Sequence, residues 1–321
     1  MFEDIISVEN LLGAWRKFLR GKRHKPDVQE FGLHLMDNIF SLHRGLVNRT
    51  YKHGGYQSFN ISDPKPRNIH KASVRDRLLH HAVYRVLCPY FDRKFISDSF
   101  SCRIEKGTHK ALARFRAFAY KVSKNNTKTC WVLKGDIRKF FASVDQDILT
   151  DIIKIHIQDN SVLWFLDAII RSFHSNQGGK GLPLGNLTSQ LLVNVYMNEF
   201  DQFVKHELKV KYYLRYADDF VTFSDNKWYL EGLILQIDMF LRERLGLVLH
   251  PQKISIGTLA SGVDFLGWVH FPDHRVLRTA TERRMIKRMA ENQEPGTLVP
   301  YLGLLRYGNA EKLKKRVYNF A

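Results

Sequence analysis

The 321-residue chain carries 50 Lys and Arg against 32 Asp and Glu, a formal net charge of +18, with 44% hydrophobic and 26% charged residues. These proportions exclude wholesale disorder, a collagen-like repeat and a disulfide scaffold. At roughly 150 residues per domain the length fits about two domains, and so large a cation excess points to a polyanionic partner, nucleic acid above all.

Residues 1–30 read as a helix with the basic stretch Arg16–Lys25, whose cations suit either RNA phosphates or a solvated face. The N-terminus lacks the basic start of a signal peptide, and no run reaches 18 apolar residues, so no membrane partner is expected. Residues 54–70 are punctuated by Gly, Pro and Asn and read as extended. From Asp76, Leu78, Leu79, Ala82, Val83, Val86 and Leu87 form one apolar helical stripe, which Pro89 is expected to stop. Nearby His70, His80 and His81 lack metal-ligand spacing and read as satisfied histidines. Ala111, Leu112, Phe115, Phe118, Ala119 and Val122 mark a second amphipathic helix. Cys88, Cys102 and Cys130 all sit in apolar stretches, as buried thiols of a reducing, cytoplasmic compartment would.

Trp131–Ile137 reads as a strand with Asp136 near its end. Helices are expected over 146–157 and 161–173, then a glycine-rich turn at 178–185 and a further helix. Residues 211–224, KYYLRYADDFVTFS, read as a hairpin with acids at its turn, Tyr212 and Tyr213 being packing residues. A helix over 229–245 and short strands in 247–256 and 263–271 follow. The last 47 residues hold 11 Lys and Arg against 4 Asp and Glu in helical patterns. The boundary is set near Arg275: an α+β body, 1–274, and a small basic helical lobe, 275–321.

The chemistry lies in Asp218 and Asp219. Acids flanked by apolar strands are costly to bury unpaired, but a divalent cation offsets that cost. A lone Asp-Asp is also what a solvated hairpin tip shows. Asp136, a second acidic strand end about 80 residues earlier, changes the reading. If the two strands are neighbours, the acids can hold two metal ions about 4 Å apart.

At this point the chain resembles the reverse transcriptases, through motifs in order. Lys65–Ile69 with Asp76-Arg77 resembles the first fingers block, and Ser97–Arg103 with Gly107 and Thr108 the second. Lys134–Phe141 (KGDIRKFF) resembles the palm block. Gly181–Gln190 (GLPLGNLTSQ) resembles the fourth block, Tyr216–Asp219 (YADD) the catalytic box, Leu245–Lys253 the sixth and Phe265–Trp268 (FLGW) the seventh. The resemblance covers residues 60–270 well and 275–321 weakly. It implies a right-hand polymerase: α+β, with fingers, an RRM-like antiparallel palm and a short helical thumb.

The resemblance also implies roles. Asp136 and Asp218 ligate two Mg²⁺ ions, with Mn²⁺ as a substitute. Asp219 completes the set, and the Ile137 carbonyl is a further ligand. Phe141 matches the gate against a ribose 2′-hydroxyl. Lys65 and Arg67 match cations that hold the triphosphate. Arg75 and Arg77 compete for that role, and pairing with a structural acid is the other reading of Arg77. Leu184, Gly185 and Gln190 fall beside the nucleotide. Tyr216 and Lys253 fall at the primer and template, a surface lysine being the rival reading of Lys253. Arg283, Arg284 and Lys287 are assigned to the duplex backbone.

In the fourth block, Leu184-Gly185 and Ser189-Gln190 stand where mobile intron and retron enzymes usually read Gln-Gly and Ser-Pro. The pattern is similar to diversity-generating retroelements and some defence-associated groups. The former implies error-prone copying at template adenines, a structured cognate RNA and a small basic accessory protein. The retron-type Val-Thr-Gly is absent from Gly257–Phe265. The rival readings are a defence-associated enzyme copying a companion RNA or working without a template, and a catalytically silent RNA-binding scaffold.

Overall fold

A computed structural model describes residues 1–62, 66–175, 177–292 and 295–318, the side chains at 295, 297, 298 and 318 excepted. Four helices open the chain: α1 (Phe2–Ile6), α2 (Val8–Phe18), α3 (Pro26–Leu33) and α4 (Leu35–Val47). The single helix expected over 1–30 is thus three. Ser7 breaks the first from the second, its side chain capping α2 by accepting from the Asn10 N–H. Buried Asn10 uses its whole amide. Nδ2 donates to the carbonyls of Ile5 and Ala82 at 2.8 and 3.1 Å, and Oδ1 accepts from Arg85 Nε at 2.9 Å. Those bonds pin α1 and α2 to α5 (Val74–Asp92).

Ahead of α5, β1 (Tyr56–Ile61) and β2 (Arg67–Ala72) form the antiparallel hairpin of the extended segment. Pro89 does not stop α5 but lies inside it. The helix keeps its last turn because Leu87, Cys88 and Phe91 are buried in the core, and that burial offsets the lost backbone bond. Of the three cysteines, Cys102 is exposed, contrary to the reading as a buried thiol; it sits in a turn at φ +52°.

The next elements are α6 (Thr108–Val122), β3 (Trp131–Gly135), α7 (Phe140–Ser143), α8 (Gln146–His156), α9 (Asn160–Ile170) and α10 (Leu187–Gln202). Then come β4 (Tyr213–Tyr216), β5 (Asp219–Ser224), α11 (Lys227–Leu245) and β6 (Ser255–Thr258). The strand expected in 247–256 is shorter than read: before Ser255 only Leu249 pairs, through a bridge to Ile137. Residues 263–271 are two strands, β7 (Val263–Phe265) and β8 (Trp268–His270), since Leu266 and Gly267 turn the chain at φ +50° and +84°. Arg275 opens β9 (Arg275–Leu277), which pairs with β8; α12 (Thr279–Glu291), α13 (Pro295–Leu305) and α14 (Glu311–Tyr318) follow.

The central antiparallel sheet runs β4-β5-β3-β6 and separates two apolar cores. Leu133, Tyr213 and Phe220 face the larger core with α10, α11 and the N-terminal helices. Val132, Leu214, Val221 and Phe223 face α6, the β7-β8-β9 sheet and the last helices. This alternation is the period-two signature of a sheet covered on both sides.

On β3, only glycine fits at position 135. A Cβ on Gly135 would lie 2.2 Å from Phe220 Cζ, because the Phe220 ring crosses β3 there. Gly135→Ala is therefore expected to destabilise the fold by about 1–3 kcal/mol through overpacking. Urea unfolding measures this; an unchanged midpoint would contradict the close approach.

Candidate active site

β3 and β5 are neighbours, so their acidic ends meet. Their register pairs Gly135 with Phe220, and one step on Asp136 falls opposite Asp219. The pleat then sets Lys134, Asp136, Tyr216 and Asp219 on one face and Gly135, Arg215 and Phe220 on the other. Asp218 lies in the turn between β4 and β5, next to Ala217, which holds the left-handed φ of +56°.

A buried network fixes that turn. Arg215 and Asp201 are 1% and 0% exposed. Arg215 Nε and Nη2 fork the two Asp201 oxygens at 2.8 and 2.7 Å, and the Tyr213 hydroxyl donates to the same carboxylate at 2.7 Å. The remaining guanidinium nitrogen, Nη1, donates to the Ala217 carbonyl at 2.9 Å. The Arg215 N–H donates to the Asp98 carbonyl at 2.9 Å, and the Arg215 carbonyl accepts from Phe100 N–H at 3.0 Å. The strand that delivers the acids is thus clamped to α10 through its side chain and to the 98–100 segment through its backbone.

Asp136 is 6% exposed, and Lys253 Nζ donates to both of its oxygens at 2.8 and 2.9 Å. Burial, then the charge of Asp218, pushes the Asp219 carboxyl up to about 7. Burial and the Asp136 charge also raise Asp218, against its own backbone N–H, Lys253 and Arg67. Lys134 donates to the Asp264 carbonyl at 2.7 Å and opposes the rise at Asp219. Among the described residues no three His, Cys, Asp or Glu side chains close on a common point as a metal cage. The donors nevertheless fit a hard divalent cation: carboxylates that resist ionising beside one another, with a lysine ammonium already seated on the third. Arg138 N–H donates to the Val248 carbonyl, and the Asp136 carbonyl accepts from His250 N–H, which leaves the Ile137 carbonyl outside that ladder.

The acids open on a cleft of about 840 Å³ lined by Arg67, Lys134, Asp136, Asp219, Lys253 and Arg278 among others. Arg67 opens β2 and acts electrostatically on Asp218. Its two competitors are committed elsewhere: Arg75 to Asp76 and the Lys52 carbonyl, Arg77 to Asp27 at 2.7 Å. Lys65 lies outside the described residues. Phe141 is half-buried on α7, 5.6 Å from the Phe140 ring, and its carbonyl accepts from Leu182 N–H at 2.8 Å. The Leu184 carbonyl accepts from His70 N–H at 3.0 Å. Gly185, at φ +112°, lies against Ile69, which a Cβ there would approach to 2.9 Å. Gln190 is half-buried on α10, its carbonyl accepting from Asn194 Nδ2 at 3.2 Å.

Tyr216 shares a hydroxyl–hydroxyl bond of 3.0 Å with Thr108. Arg283, Arg284 and Lys287 lie on α12 outside the cleft wall; Arg284 bonds Thr281 Oγ1 at 3.4 Å and Lys287 stands 3.8 Å from Glu291. The structure thus gathers Asp136, Asp219, Arg67 and Lys253 and leaves the α12 cations apart. Sequence reasoning missed Lys134, Arg278 and Asp201. For Asp201 a signal existed, since an arginine at position 215 within an apolar strand demands a buried acid.

Residues 59–270 match the family described as reverse transcriptase (RNA-dependent DNA polymerase). The chain belongs to the reverse transcriptase family. Protein YkfC of Escherichia coli (strain K12) is 26% identical over 255 residues, 68% of this chain and 65% of that protein. The group II intron-encoded protein LtrA of Lactococcus lactis subsp. cremoris is 23% identical over 315 residues, 75% of this chain and 50% of that protein. This reverse transcriptase spans about half to two thirds of the length of these relatives. Apo telomerase from Candida tropicalis, truncated from its C-terminal domain, shares the fold with a TM-score of 0.51 at 14% identity, covering 76% of this chain and 60% of that one. The α+β reverse transcriptase fold expected from the sequence is the one observed.

Two measurements test the site. Arg215→Met is expected to cost about 3–5 kcal/mol of stability by stranding a buried carboxylate, and the pair Arg215→Met/Asp201→Leu to recover much of it. If Nη1 also orients the turn, polymerase activity stays low in the recovered pair; activity that returns with stability would reduce Arg215 to a structural role. Separately, the Asp219 carboxyl keeps its proton to about 7 when folded but ionises near 3.8 when unfolded. Between those values the folded state binds more protons, so metal-free stability falls as pH rises. Melting from pH 5 to 8 with chelator should show this fall, and Asp219→Asn should flatten it.

Proposed function

We propose that this reverse transcriptase is an RNA-directed DNA polymerase that extends a primer along an RNA template. The observation that carries the reading is the meeting of Asp136 and Asp219 at the ends of β3 and β5, with Asp218 coupled to both from the β4–β5 turn, beside a cleft that also holds Arg67 and Lys253. Asp136, Asp218 and the Ile137 carbonyl would hold two Mg²⁺ ions, or Mn²⁺, with Asp219 completing the charge. When bound, such ions activate the primer 3′-hydroxyl and stabilise the pyrophosphate that leaves.

The chain's own residues do the rest. Arg67 presents a planar fork to the triphosphate. Phe141 bounds the space for the sugar. Lys253 leaves Asp136 and becomes available to phosphate at the primer terminus. Residues 275–321 act as a thumb, and Arg283, Arg284 and Lys287 track the duplex backbone by charge. Alignment of nucleophile and phosphorus supplies most of the acceleration.

The subgroup reading is a diversity-generating retroelement enzyme in the cytoplasm, with a structured cognate RNA and a small basic accessory protein. It is supported by Leu184, an aliphatic side chain in a loop whose backbone is tied to His70. A side chain that cannot hydrogen-bond there removes a polar constraint beside the templating base.

Primer extension on an RNA template with Mg²⁺ and dNTPs tests the activity. Asp218→Ala is expected to lose about a thousandfold, equivalent to roughly 4 kcal/mol. Extension that survives the substitution would overturn the assignment of the acids. Sequencing the product tests the subgroup, which requires errors concentrated at template adenines.

A further inference from the structure

We propose that the cavity at the His270–Arg275 end of the β7-β8-β9 sheet is a second nucleic-acid site, one that takes single-stranded RNA by its phosphates and bases. Strand pairing sets Val263, Phe265, Trp268, His270, Arg275 and Leu277 on one face. Asp264 points to the other, where it pairs with Arg278 at 2.9 Å on the wall of the catalytic cleft. Val263, Phe265, Trp268 and Leu277 of the first face are buried against the core, and its His270–Arg275 end opens on a cavity of about 390 Å³ walled by Phe115, Arg116, His270, Arg275, Arg306 and Tyr307 among others. It shares no lining residue with the catalytic cleft.

The charge here is uncompensated. Three arginines meet one acid, Asp273, which is 79% exposed and bonded to His274. Arg116 and Arg306 make no ion pair or hydrogen bond among the described residues. Arg275 is held over the Trp268 ring at 5.5 Å and donates to the Tyr307 carbonyl. Burial and the neighbouring Arg116 charge lower its pKa, the mark of cations gathered without a counter-ion. His270, 4% exposed, packs 4.2 Å from the Phe115 ring, and its Nε2 has no hydrogen-bond partner. An orphaned buried nitrogen on the wall of a cationic cavity is a group that the fold leaves for a ligand.

The aromatic rings fix the class of anion. Tyr307, 41% exposed, stacks on His109 at 3.7 Å, and Phe271 stacks on His274 at 4.9 Å. Flat rings interleaved with arginines are what unpaired bases and their phosphates require. The surface also continues past the cavity. His109, Arg116 and Tyr120 are exposed at helical spacing along α6. A path with several cations suits a polymer better than a free nucleotide. The site uses no residue of the catalytic cleft, so it stands apart from the polymerase reading.

The test uses the full chain with the cleft saturated by unlabelled primer–template duplex. Fluorescence anisotropy then follows a labelled single-stranded RNA of about twelve nucleotides, within the usual site sizes. The wild type is expected to bind it. Arg116→Ala/Arg306→Ala is expected to bind roughly tenfold more weakly, with the slope of log affinity against log salt shallower by about 1.4, two contacts at about 0.7 each. Primer extension by that variant should be unchanged, which also reports an intact fold. Lys154→Ala/Arg244→Ala removes the same charge from exposed positions on α8 and α11 and should bind like the wild type. An equal loss in that variant, or no binding once the duplex saturates, would overturn the site. Competition by AMP as effective as RNA at equal nucleotide concentration would make it a mononucleotide pocket and overturn the polymer reading.

Discussion

The buried pair of Arg215 and Asp201 is the constraint on which the active centre depends. A guanidinium and a carboxylate at 1% and 0% exposure are costly to remove from water, and only a forked, fully bonded geometry offsets that cost. Once formed, the pair leaves one guanidinium nitrogen for the Ala217 carbonyl. That bond supports a backbone conformation that an alanine rarely adopts. The acidic turn is thereby strained, tethered and set at a fixed height above the sheet. Helix α10 contributes no acid to the cleft, yet it decides where the acids stand.

Gly135 and Phe220 provide the second constraint. Each is the immediate chain neighbour of one of the clustered acids, Asp136 and Asp219, and the ring crosses the strand where no Cβ interferes. Adjacency of β3 and β5 then brings like charges together. The chain's +18 excess does not neutralise them by proximity alone, since Asp219 still holds its proton to about 7. Net charge guides a polyanion toward the surface, while the acidic pocket within it stays a separate, local field.

Much of this was legible in the sequence. The period-two run around Ala217, the strand ending near Asp136 and the ordered motifs located the sheet and its acids. What escaped were decisions made by tertiary burial. Pro89 should end a helix, but Phe91 beyond it is buried, so packing overrides the proline. Three cysteines in apolar stretches look alike, yet Cys102 sits in a positive-φ turn and faces out. Choosing Arg67 over Arg75 and Arg77 required knowing that Asp76 and Asp27 claim the other two. Lys253 read equally well as a surface lysine, because its partner is 117 residues away.

Lys253 also has a consequence for how the centre is filled. With its ammonium on both oxygens of Asp136, the metal-free protein carries its own counter-ion. On the proposed metal reading, loading a divalent ion would be an exchange, one cation for another, rather than an addition to an open anionic hole. An exchange of this kind lets the three acids sit together through folding without an external ion. It would also couple occupancy of the centre to the lysine's alternative destination: a phosphate that drew the ammonium away would free Asp136 for the incoming metal. The substrate and the metal would thus each favour the other's arrival through a side chain that binds only one of them.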